Sequence, residues 1–430
     1  MSNSPFDDLK DRGFVYQITA EEAVKELLLK EKVYFYVGFD PTGSSLHVGH
    51  LLPVMAMRRL QAAGHHPIVL VGGATGLVGD PSGKSEARPI LTKEKVAENA
   101  AALKAQLSRF ISVDQATFVN NAEWFSDMLY LDFLRDIGSK FSVNKMLTAE
   151  SVRMRLETGL SFLEFNYMIL QAYDFYVLNR KYNCKLQLGG QDQWGNITCG
   201  TELVRRIAHQ EVFGLTMPLL MNSNGQKFGK SVGGAVWLDK NRTSVFDYYQ
   251  FWRNTDDADV KRLLLYFTSL PVPEIHSICA ENCNINRAKE ILAYEATALA
   301  HGPEEAEKAY LAAGSKFGFA DPECNVPTSS AVARISLSNA AAAADLPTYG
   351  LTLSENDSGE KKIWICKLMT DAGLCKSNGE ARRLIQAGGA YLNDERISDL
   401  NLNLDASAFQ NGPVLLKTGK KNIRRIVLLS

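Results

Sequence analysis

The 430-residue sequence lacks the features that assign a protein to a membrane or to an export route. No uninterrupted apolar run approaches the roughly 20 residues that a membrane helix needs. The first ten residues carry acidic side chains and no apolar core, so we expect neither a secretory signal nor a transit peptide. We therefore expect a cytoplasmic protein that does not contact a membrane.

Cysteine is scarce and irregularly spaced. The seven cysteines do not follow the spacing of a disulfide framework, which predicts reduced thiols. Cys279 and Cys283 lie four residues apart, but no second Cys or His pair completes a zinc set. We expect no zinc and no metal held by protein ligands alone.

Charge of one sign is also lacking overall, because the net charge is −1. Its distribution is uneven. Residues 356–430 contain twelve Lys and Arg against eight Asp and Glu, a local net charge of +4. A local basic excess is typical of RNA contact, and equally of an ordinary solvated surface of mixed sign.

Residues 10–222 alternate between β-rich and helical patterns. Short apolar runs at 33–38, 67–72, 116–120 and 185–189 predict strands, and helical periodicity fills the intervals. Such alternation predicts an α/β domain with a Rossmann-like parallel sheet covered by helices, over residues 1–222. Ligands of such sheets bind beyond the carboxyl ends of the strands.

The remaining chain predicts three further parts. Residues 223–326 combine a lysine-bearing loop with helical patterns, which predicts a small helical domain. Residues 327–359 are rich in Ser, Ala and turn signals, and we expect a linker with little packed structure. Residues 360–430 regain helix and strand patterns and predict a C-terminal α+β module, and its local basic excess is compatible with an RNA-binding role.

His47 and His50 lie three residues apart at a predicted helix start, with Gly49 between them. Both rings can face one side, but no third residue at helical spacing completes a metal site. A helix N-terminus offers N–H groups and positive potential to a phosphate, and the rings add donors. Alone, the motif fits two surface histidines equally well.

Lys227 and Lys230 flank Gly229 in a polar stretch, which predicts a mobile loop with two cations. Such a loop could close over phosphates and reopen afterwards. Taken alone, the segment is more typical of a solvated basic turn.

The glycine-rich segment 72–85 suggests a phosphate-binding P-loop, but only three residues separate Gly79 from Gly83 and that motif needs four. We reject the P-loop interpretation. Asp80 remains a candidate anchor for an ammonium group, and Lys84 and Arg88 could reach pyrophosphate from a flexible loop.

Tyr167, Gln171 and Asp174 share one face of a single long helix predicted over residues 161–182, whose other neighbours are apolar. A polar face toward solvent is one interpretation. Because the helix is apolar on most sides, we favour burial, and buried polar groups need partners. A ligand with an amine and a hydroxyl would satisfy them.

Together these segments resemble the class I aminoacyl-tRNA synthetases, and within them the bacterial tyrosyl-tRNA synthetases. His47–His50 resembles the His-Ile-Gly-His signature, and residues 227–231 resemble the Lys-Met-Ser-Lys-Ser signature. Phe228 and Gly229 depart from the second signature in a way common among the tyrosyl members. The tyrosyl resemblance rests on the segments 36–42, 72–76, 167–174 and 187–194.

The resemblance implies a role for each matching residue. The residues implied to serve the phosphates of ATP are Thr42, His47, His50, Lys227 and Lys230, assisted by Lys84 and Arg88. Those implied to contact the nucleotide are Gly38, Asp40, Gly49, Asp192 and Lys230. Those implied to bind tyrosine are Asp80, Tyr167 and Gln171 at the ammonium, Gln193 near the carboxylate, and Tyr36 and Asp174 at the phenolic hydroxyl.

The resemblance also implies the reaction and its partners. L-Tyrosine attacks the α-phosphorus of ATP, and the tyrosyl group then passes from the adenylate to the 3′ end of tRNA(Tyr). We expect Mg²⁺ with ATP, without a dedicated protein ligand, and a homodimer.

Three alternatives differ from this assignment. A tryptophanyl-tRNA synthetase is disfavoured because Tyr36 with Asp174 suits a phenol. Another nucleotidyltransferase with the histidine motif is disfavoured by the lysine loop and the C-terminal module. A non-catalytic RNA-binding relative is disfavoured because the histidines and lysines of both signatures are intact.

Overall fold

The computed structural model describes residues 4–82, 91–156, 159–231, 234–337, 348–353, 361–393, 395–410, 412–419 and 422–429. The chain divides into two compact units. The first contains Met1–Phe228 and Arg262–Val272, and the second contains Gly229–Lys261 and Pro273–Ser430. Across the described ranges, no helix combines the length and the apolar character that a membrane crossing requires.

A six-stranded sheet, counted over the described residues, forms the centre of the first unit. Its order is β1-β6-β5-β2-β3-β4; five strands are parallel and β1 runs antiparallel to β6 at one edge. The strands are β1 Gln17–Ile18, β2 Tyr34–Phe39, β3 His66–Val71, β4 Thr117–Asn120, β5 Cys184–Gly190 and β6 Phe213–Met217. The four predicted strands are confirmed to within one residue at each end, whereas β1 and β6 were not predicted.

Helices cover this sheet, and buried apolar side chains explain their placement. The helices are α1 Pro5–Asp11, α2 Glu21–Lys30, α3 Leu51–Ala62, α4 Thr75–Val78, α5 Lys93–Leu107, α6 Ala122–Phe125, α7 Tyr130–Asp136, α8 Val143–Leu147, α9 Glu150–Leu156, α10 Phe162–Phe165, α11 Tyr167–Tyr182 and α12 Trp194–Ala208. Phe175 and Leu178 of α11 pack with Tyr36, Ile68 and Leu70 of the central strands in one core cluster.

The helix predicted over 161–182 is two helices. The first, α10, begins at a capping box in which Ser161 and Glu164 bond each other's backbone N–H groups. It ends at Phe165, and α11 begins at Tyr167, with Asn166 as the capping residue between them. Tyr167, Gln171 and Asp174 are all buried on α11.

The second unit contains helices and a separate sheet. Its helices are α13 Val245–Arg253, α16 Ile285–His301, α17 Pro303–Phe317, α18 Ile365–Asp371 and α19 Asn378–Gln386, while α14 Asp257–Phe267 and α15 Val272–Ile278 contribute residues to both units. Its short strands are β7 Lys230–Ser231, β8 Gly234–Ala235, β9 Thr348–Leu351, β10 Lys362–Trp364, β11 Ala390–Leu392, β12 Glu395–Arg396, β13 Asn403–Asp405, β14 Val414–Thr418 and β15 Asn422–Leu428. Five of them form a sheet in the order β12-β11-β14-β15-β9.

The expected linker over residues 327–359 is wrong in its described parts. The side chains of Thr328 and Ser329 donate hydrogen bonds to Glu274, and that of Ser330 donates to Glu295, which fixes this segment to α15 and α16. Further on, β9 pairs in parallel with β15. Local composition could not reveal these distant partners. Residues 338–347 and 354–360 lie outside the described residues.

A buried ion pair joins α9 to α10, the short helix that precedes α11. Arg155 and Glu164 are 3% and 8% exposed at their side chains, and their charged groups lie 2.9 Å apart. Burial alone would raise the pKa of Glu164, but hydrogen bonds from Ser161 and Arg155 hold it below its ordinary value. The carboxylate is therefore ionised, and it neutralises the buried guanidinium.

We expect Glu164→Gln to lower the free energy of unfolding by about 3–5 kcal/mol, because it leaves a buried arginine without its counter-charge. Urea unfolding measures this as a lower midpoint with an unchanged slope. The matched control is Glu98→Gln, which removes an exposed partner of Lys95 and is expected to leave the midpoint unchanged. Equal midpoints for the two variants would contradict this role of the ion pair.

Candidate active site

The carboxyl ends of β2, β3, β4 and β5 lie along one edge of the first unit's sheet, and several predicted site residues lie on these strands or just beyond them. Tyr36 and Gly38 lie on β2 and Asp40 follows it, whereas Gly72 follows β3. Asp192 and Gln193 follow β5. This placement agrees with the rule for ligand sites in parallel sheets.

Tyr36 and Asp174 form the innermost part of the site. Tyr36 is fully buried, and its hydroxyl is without a hydrogen-bond partner in the described structure. Burial raises the pKa of Tyr36 well above its ordinary value, and the nearby charge of Asp174 raises it further. A neutral buried hydroxyl that lacks a partner fits a ligand that brings its own polar group.

The Asp174 carboxyl is 1% exposed and accepts two hydrogen bonds. Trp124 Nε1 donates to Oδ1 at 2.9 Å, and Asn121 Nδ2 donates to Oδ2 at 3.1 Å. Burial raises the pKa of Asp174 well above its ordinary value, and these two hydrogen bonds oppose the rise. The two donors orient the carboxyl while its remaining lone pairs can accept from a ligand.

Asn121 and Trp124 are site residues that the sequence reasoning missed. Both follow β4, whose carboxyl end lies on the ligand edge of the sheet. Ligands of parallel sheets bind beyond the carboxyl ends of the strands, and this rule could have pointed to the segment after residue 120. No sequence motif, however, marks these two side chains.

A second polar cluster joins three predicted residues through one that was not predicted. Gln193 Nε2 donates to Asp80 Oδ2 at 2.7 Å. Asn196 Nδ2 contacts Gln171 Oε1 at 3.0 Å and Gln193 Oε1 at 3.2 Å. The cluster therefore brings together a buried carboxylate and three amide groups, which suits an ammonium ion beside a carboxylate.

Tyr167 connects this cluster to the end of β2. Its hydroxyl donates to Asp40 Oδ2 at 2.8 Å, and Thr75 Oγ1 donates to Asp40 Oδ1 at 2.8 Å. Burial and the charge of Asp40 raise the pKa of Tyr167, so the hydroxyl stays protonated. A Cβ at Gly72 would lie 2.0 Å from Asp40 Oδ1, so only glycine at position 72 leaves room for the Asp40 carboxylate in this position.

The histidine motif forms a short 3₁₀ helix, Val48–His50, directly before α3. His47 Nδ1 accepts from the Gly49 N–H at 3.0 Å, and His50 Nδ1 accepts from the His47 N–H at 3.2 Å. In a neutral imidazole whose Nδ1 accepts, the hydrogen is on Nε2. Both rings, stacked with centroids 3.9 Å apart, therefore present Nε2–H donors.

Glycine at position 49 and glycine at position 38 have different structural explanations. A Cβ at Gly49 would lie 2.8 Å from the His47 ring, so the ring stack itself requires glycine. A Cβ at Gly38 would meet only Leu70, at an ordinary 3.8 Å. Protein packing does not require glycine at position 38, which fits a close approach by a ligand.

Asp192 lies where three charges meet. Loss of surrounding water and the charge of Asp80 raise the pKa of Asp192, while Gln193 and Lys227 oppose the rise. Lys227 is exposed and forms an isolated β-bridge with Met221.

Thr42 lies two residues beyond Asp40. The Thr42 backbone N–H donates to the Asp40 carbonyl at 2.8 Å, and the Thr42 side chain is exposed.

Three predicted phosphate contacts cannot be placed in this geometry. Lys84 and Arg88 lie outside the described residues. Lys230 is described as part of strand β7, in the second unit. Among the described residues, no three His, Cys, Asp or Glu side chains form a group able to hold a metal ion.

Two family models match the chain. The one described as tRNA synthetases class I (W and Y) matches residues 29–318. The one described as Tyrosine--tRNA ligase SYY-like C-terminal domain matches residues 339–426.

Relatives match over nearly the whole length. The chain is 47% identical over 431 residues to the tyrosine–tRNA ligase of Clostridium tetani (strain Massachusetts / E88), covering 100% of both. It is 49% identical over 423 residues to that of Clostridium botulinum (strain Alaska E43 / Type E3), covering 98% of both. A C-terminally truncated mitochondrial tyrosyl-tRNA synthetase of Aspergillus nidulans matches in structure with a TM-score of 0.65 at 33% identity, covering 72% of this chain and 93% of that one.

Proposed function

Because the chain belongs to the class I tRNA synthetases of the W and Y family, we propose that it is the tyrosine-specific kind. It joins L-tyrosine to ATP as tyrosyl-adenylate, releases pyrophosphate, and transfers the tyrosyl group to the 3′ end of tRNA(Tyr). The relatives named tyrosine–tRNA ligase, aligned over 98–100% of the chain, support this reaction.

The pair of Tyr36 and Asp174 is the observation that carries the choice of amino acid. A phenolic hydroxyl between them donates to Asp174 and accepts from Tyr36, so every buried polar group gains a partner. Phenylalanine leaves the Tyr36 hydroxyl without a partner and gives Asp174 no donor beyond Trp124 and Asn121, and an indole cannot take the place of a phenol. Tyrosyl-tRNA synthetases are themselves the standard example of such discrimination, which reaches about 10⁵ against phenylalanine without an editing step.

The polar cluster around Asp80 supports a site for the other end of tyrosine. The Asp80 carboxylate attracts the ammonium group, with Gln171 and the Tyr167 hydroxyl beside it. Gln193, which already contacts Asp80, lies near the reacting carboxylate. Fixing both ends of tyrosine holds its carboxylate in one direction, and such orientation lowers the barrier to an in-line attack.

The phosphate side is served by donors and cations. The Nε2–H groups of His47 and His50 face the charge that develops as the α-phosphorus is attacked, with Thr42 beside them. Lys227 and Lys230, together with Lys84 and Arg88, neutralise the departing pyrophosphate. Asp192 accepts from the ribose hydroxyls.

The first step needs no catalytic base from the protein, because the tyrosine carboxylate is already ionised and nucleophilic. Asp40 positions Tyr167 and Thr75, and Gly38 and Gly49 admit the nucleotide to the end of β2. Mg²⁺ bound to ATP would neutralise part of the charge on its phosphates. The enzyme works in the cytoplasm.

The second step uses the C-terminal module, residues 339–426 by the family match. Its basic excess, +4 over residues 356–430, supports contact with the phosphates of tRNA(Tyr). We propose that residues 1–222 form the catalytic domain, that residues 223–326 carry the lysine loop and a helical domain, and that residues 360–430 form the RNA-binding module.

The chain is a homodimer in this proposal, and exposed apolar side chains support it. Of fifteen large apolar side chains exposed in the described structure, ten lie between residues 129 and 163. They are Leu129, Tyr130, Leu131, Leu134, Val143, Leu147, Met154, Leu156, Phe162 and Leu163. Monomeric proteins rarely expose so many apolar groups in one region, which favours a self-complementary interface there.

We expect Tyr36→Phe to lower the preference for tyrosine over phenylalanine by about 10- to 100-fold, since the phenol loses a hydrogen-bond partner. The ratio of kcat/KM for the two amino acids in ATP–pyrophosphate exchange measures it, and KM for ATP is expected to stay unchanged. Asp174→Ala is expected to act in the same direction. His50→Ala is the matched control, lowering kcat about 10²-fold for both amino acids with their ratio kept. An unchanged ratio for Tyr36→Phe contradicts the pocket assignment.

Removing residues 338–430 is expected to preserve tyrosine-dependent exchange and to lower kcat/KM for tRNA charging at least about tenfold, because phosphate contacts are lost. The cut precedes β9, which belongs to the C-terminal sheet. Undiminished charging would show that the module does not bind the tRNA.

We expect the full-length chain to sediment as a dimer of about twice 47.5 kDa. Phe162→Asp with Leu131→Asp is expected to shift it toward monomer, because two charges are then buried in the interface. Leu29→Asp, an exposed apolar site outside the segment, is the control and is expected to leave the dimer intact. A monomeric wild type, or equal behaviour of both variants, contradicts the interface.

A further inference from the structure

The signature residue Lys230 lies in a very short hairpin of the second unit. Strands β7 and β8 pair antiparallel, with Lys230 opposite Ala235 and Ser231 opposite Gly234. The Val236 N–H also donates to the Gly229 carbonyl at 2.9 Å. Two-residue strands are marginally stable alone, so the backbone position of Lys230 depends on what holds the chain after Ala235.

The backbone at Gly229 explains one departure from the general signature. Its φ of +94° lies in the region that favours glycine, where a serine would be strained. The bend at Gly229 is the entry to the hairpin, and it directs the chain into pairing with residues 234–236.

Trp237 and Arg242 form a stack immediately after the hairpin. The guanidinium carbon of Arg242 lies 3.3 Å from the centroid of the Trp237 ring, a close cation–π contact. The Trp237 N–H donates to Thr243 Oγ1 at 3.0 Å, which closes the loop between them. The N–H groups of Arg242 and Thr243 both donate to the Asp239 carbonyl at 3.0 Å.

This closed loop is anchored on both sides. Val236 and Leu238 flank Trp237 and are buried at 3% and 1% exposure. At the other end, Ser244 caps α13 by accepting from the Asp247 N–H. The chain that pairs with Lys230 is therefore attached through the stack to a helix whose inner face, including Tyr248 and Trp252, is buried.

We propose that Trp237 and Arg242 are positioning residues for adenylate formation. Their stack holds the end of β8 in place, and β8 holds the backbone of Lys230 through the paired register. In this proposal both side chains act through Lys230. The inference rests on the proposed role of Lys230 at the phosphates of ATP.

We expect Trp237→Leu and Arg242→Leu each to lower kcat for tyrosine-dependent ATP–pyrophosphate exchange about 10- to 100-fold, as a misplacement near 1 Å does. KM for tyrosine is expected to stay unchanged, because tyrosine binds in the first unit. Rates are normalised to active sites, counted from the burst of adenylate formation, so a loss of folded protein does not lower them. Trp237→Phe, which keeps a ring under the guanidinium, is expected to restore most of kcat.

Lys240→Leu is the matched control, because it removes a positive charge from the same loop without touching the stack. Its kcat is expected to equal that of the wild type. An equal loss for Lys240→Leu would mean that loop charge, and not the stack, sets the rate, which overturns the proposal.

A double-mutant cycle with Lys230→Ala gives the sharpest test. If the stack acts through Lys230, Trp237→Leu lowers kcat in the wild type and has no further effect in Lys230→Ala. Multiplying losses would place the action of Trp237 elsewhere and overturn the proposal. A wild type without tyrosine-dependent exchange would instead contradict the proposed function, so the two failures are distinguishable.

Discussion

A carboxyl buried beside a hydroxyl without a protein partner is the constraint on which the site depends. Tyr36 is fully buried and belongs to the core cluster between α11 and the sheet. Asp174 lies on α11 and is 1% exposed. Burying a polar group without a hydrogen bond costs free energy, so the fold keeps these groups only if something pairs with them. Trp124 and Asn121 satisfy part of Asp174. In the proposed function, the phenolic hydroxyl of tyrosine takes the remaining hydrogen-bonding capacity of Asp174 and Tyr36.

The carboxyl end of β2 lies between the residues proposed to bind tyrosine and those proposed to contact the phosphates of ATP. Strand β2 places Tyr36 inside, and the chain beyond Asp40 leads outward to His47 and His50. In the proposed function, tyrosine binds with its ring toward Tyr36 and its carboxylate toward His47 and His50. Asp40 links the two regions, because its carboxylate accepts from both Tyr167 and Thr75.

The parts of this architecture that depend on local pattern could be predicted from sequence. The four parallel strands from β2 to β5 are short apolar runs between turn signals, and their bounds agree with the structure to within one residue. The break at Asn166 was missed because apolar residues continue across it. Asn121, Trp124 and Asn196 were missed because their partners are distant in sequence, at Asp174 and Gln171. The expectation of a linker at residues 328–330 is wrong for the same reason, since the partners of this segment are Glu274 and Glu295.

Substrate-dependent ATP–pyrophosphate exchange by the wild-type chain tests the central claim most directly. The amino acids to compare are tyrosine, phenylalanine and tryptophan at equal concentrations, with the same ATP and Mg²⁺. The buried pair of Tyr36 and Asp174 predicts rapid exchange with tyrosine and none above background with the other two. Exchange with tryptophan and none with tyrosine would contradict the account, because the pocket would then recognise an indole instead of a phenol.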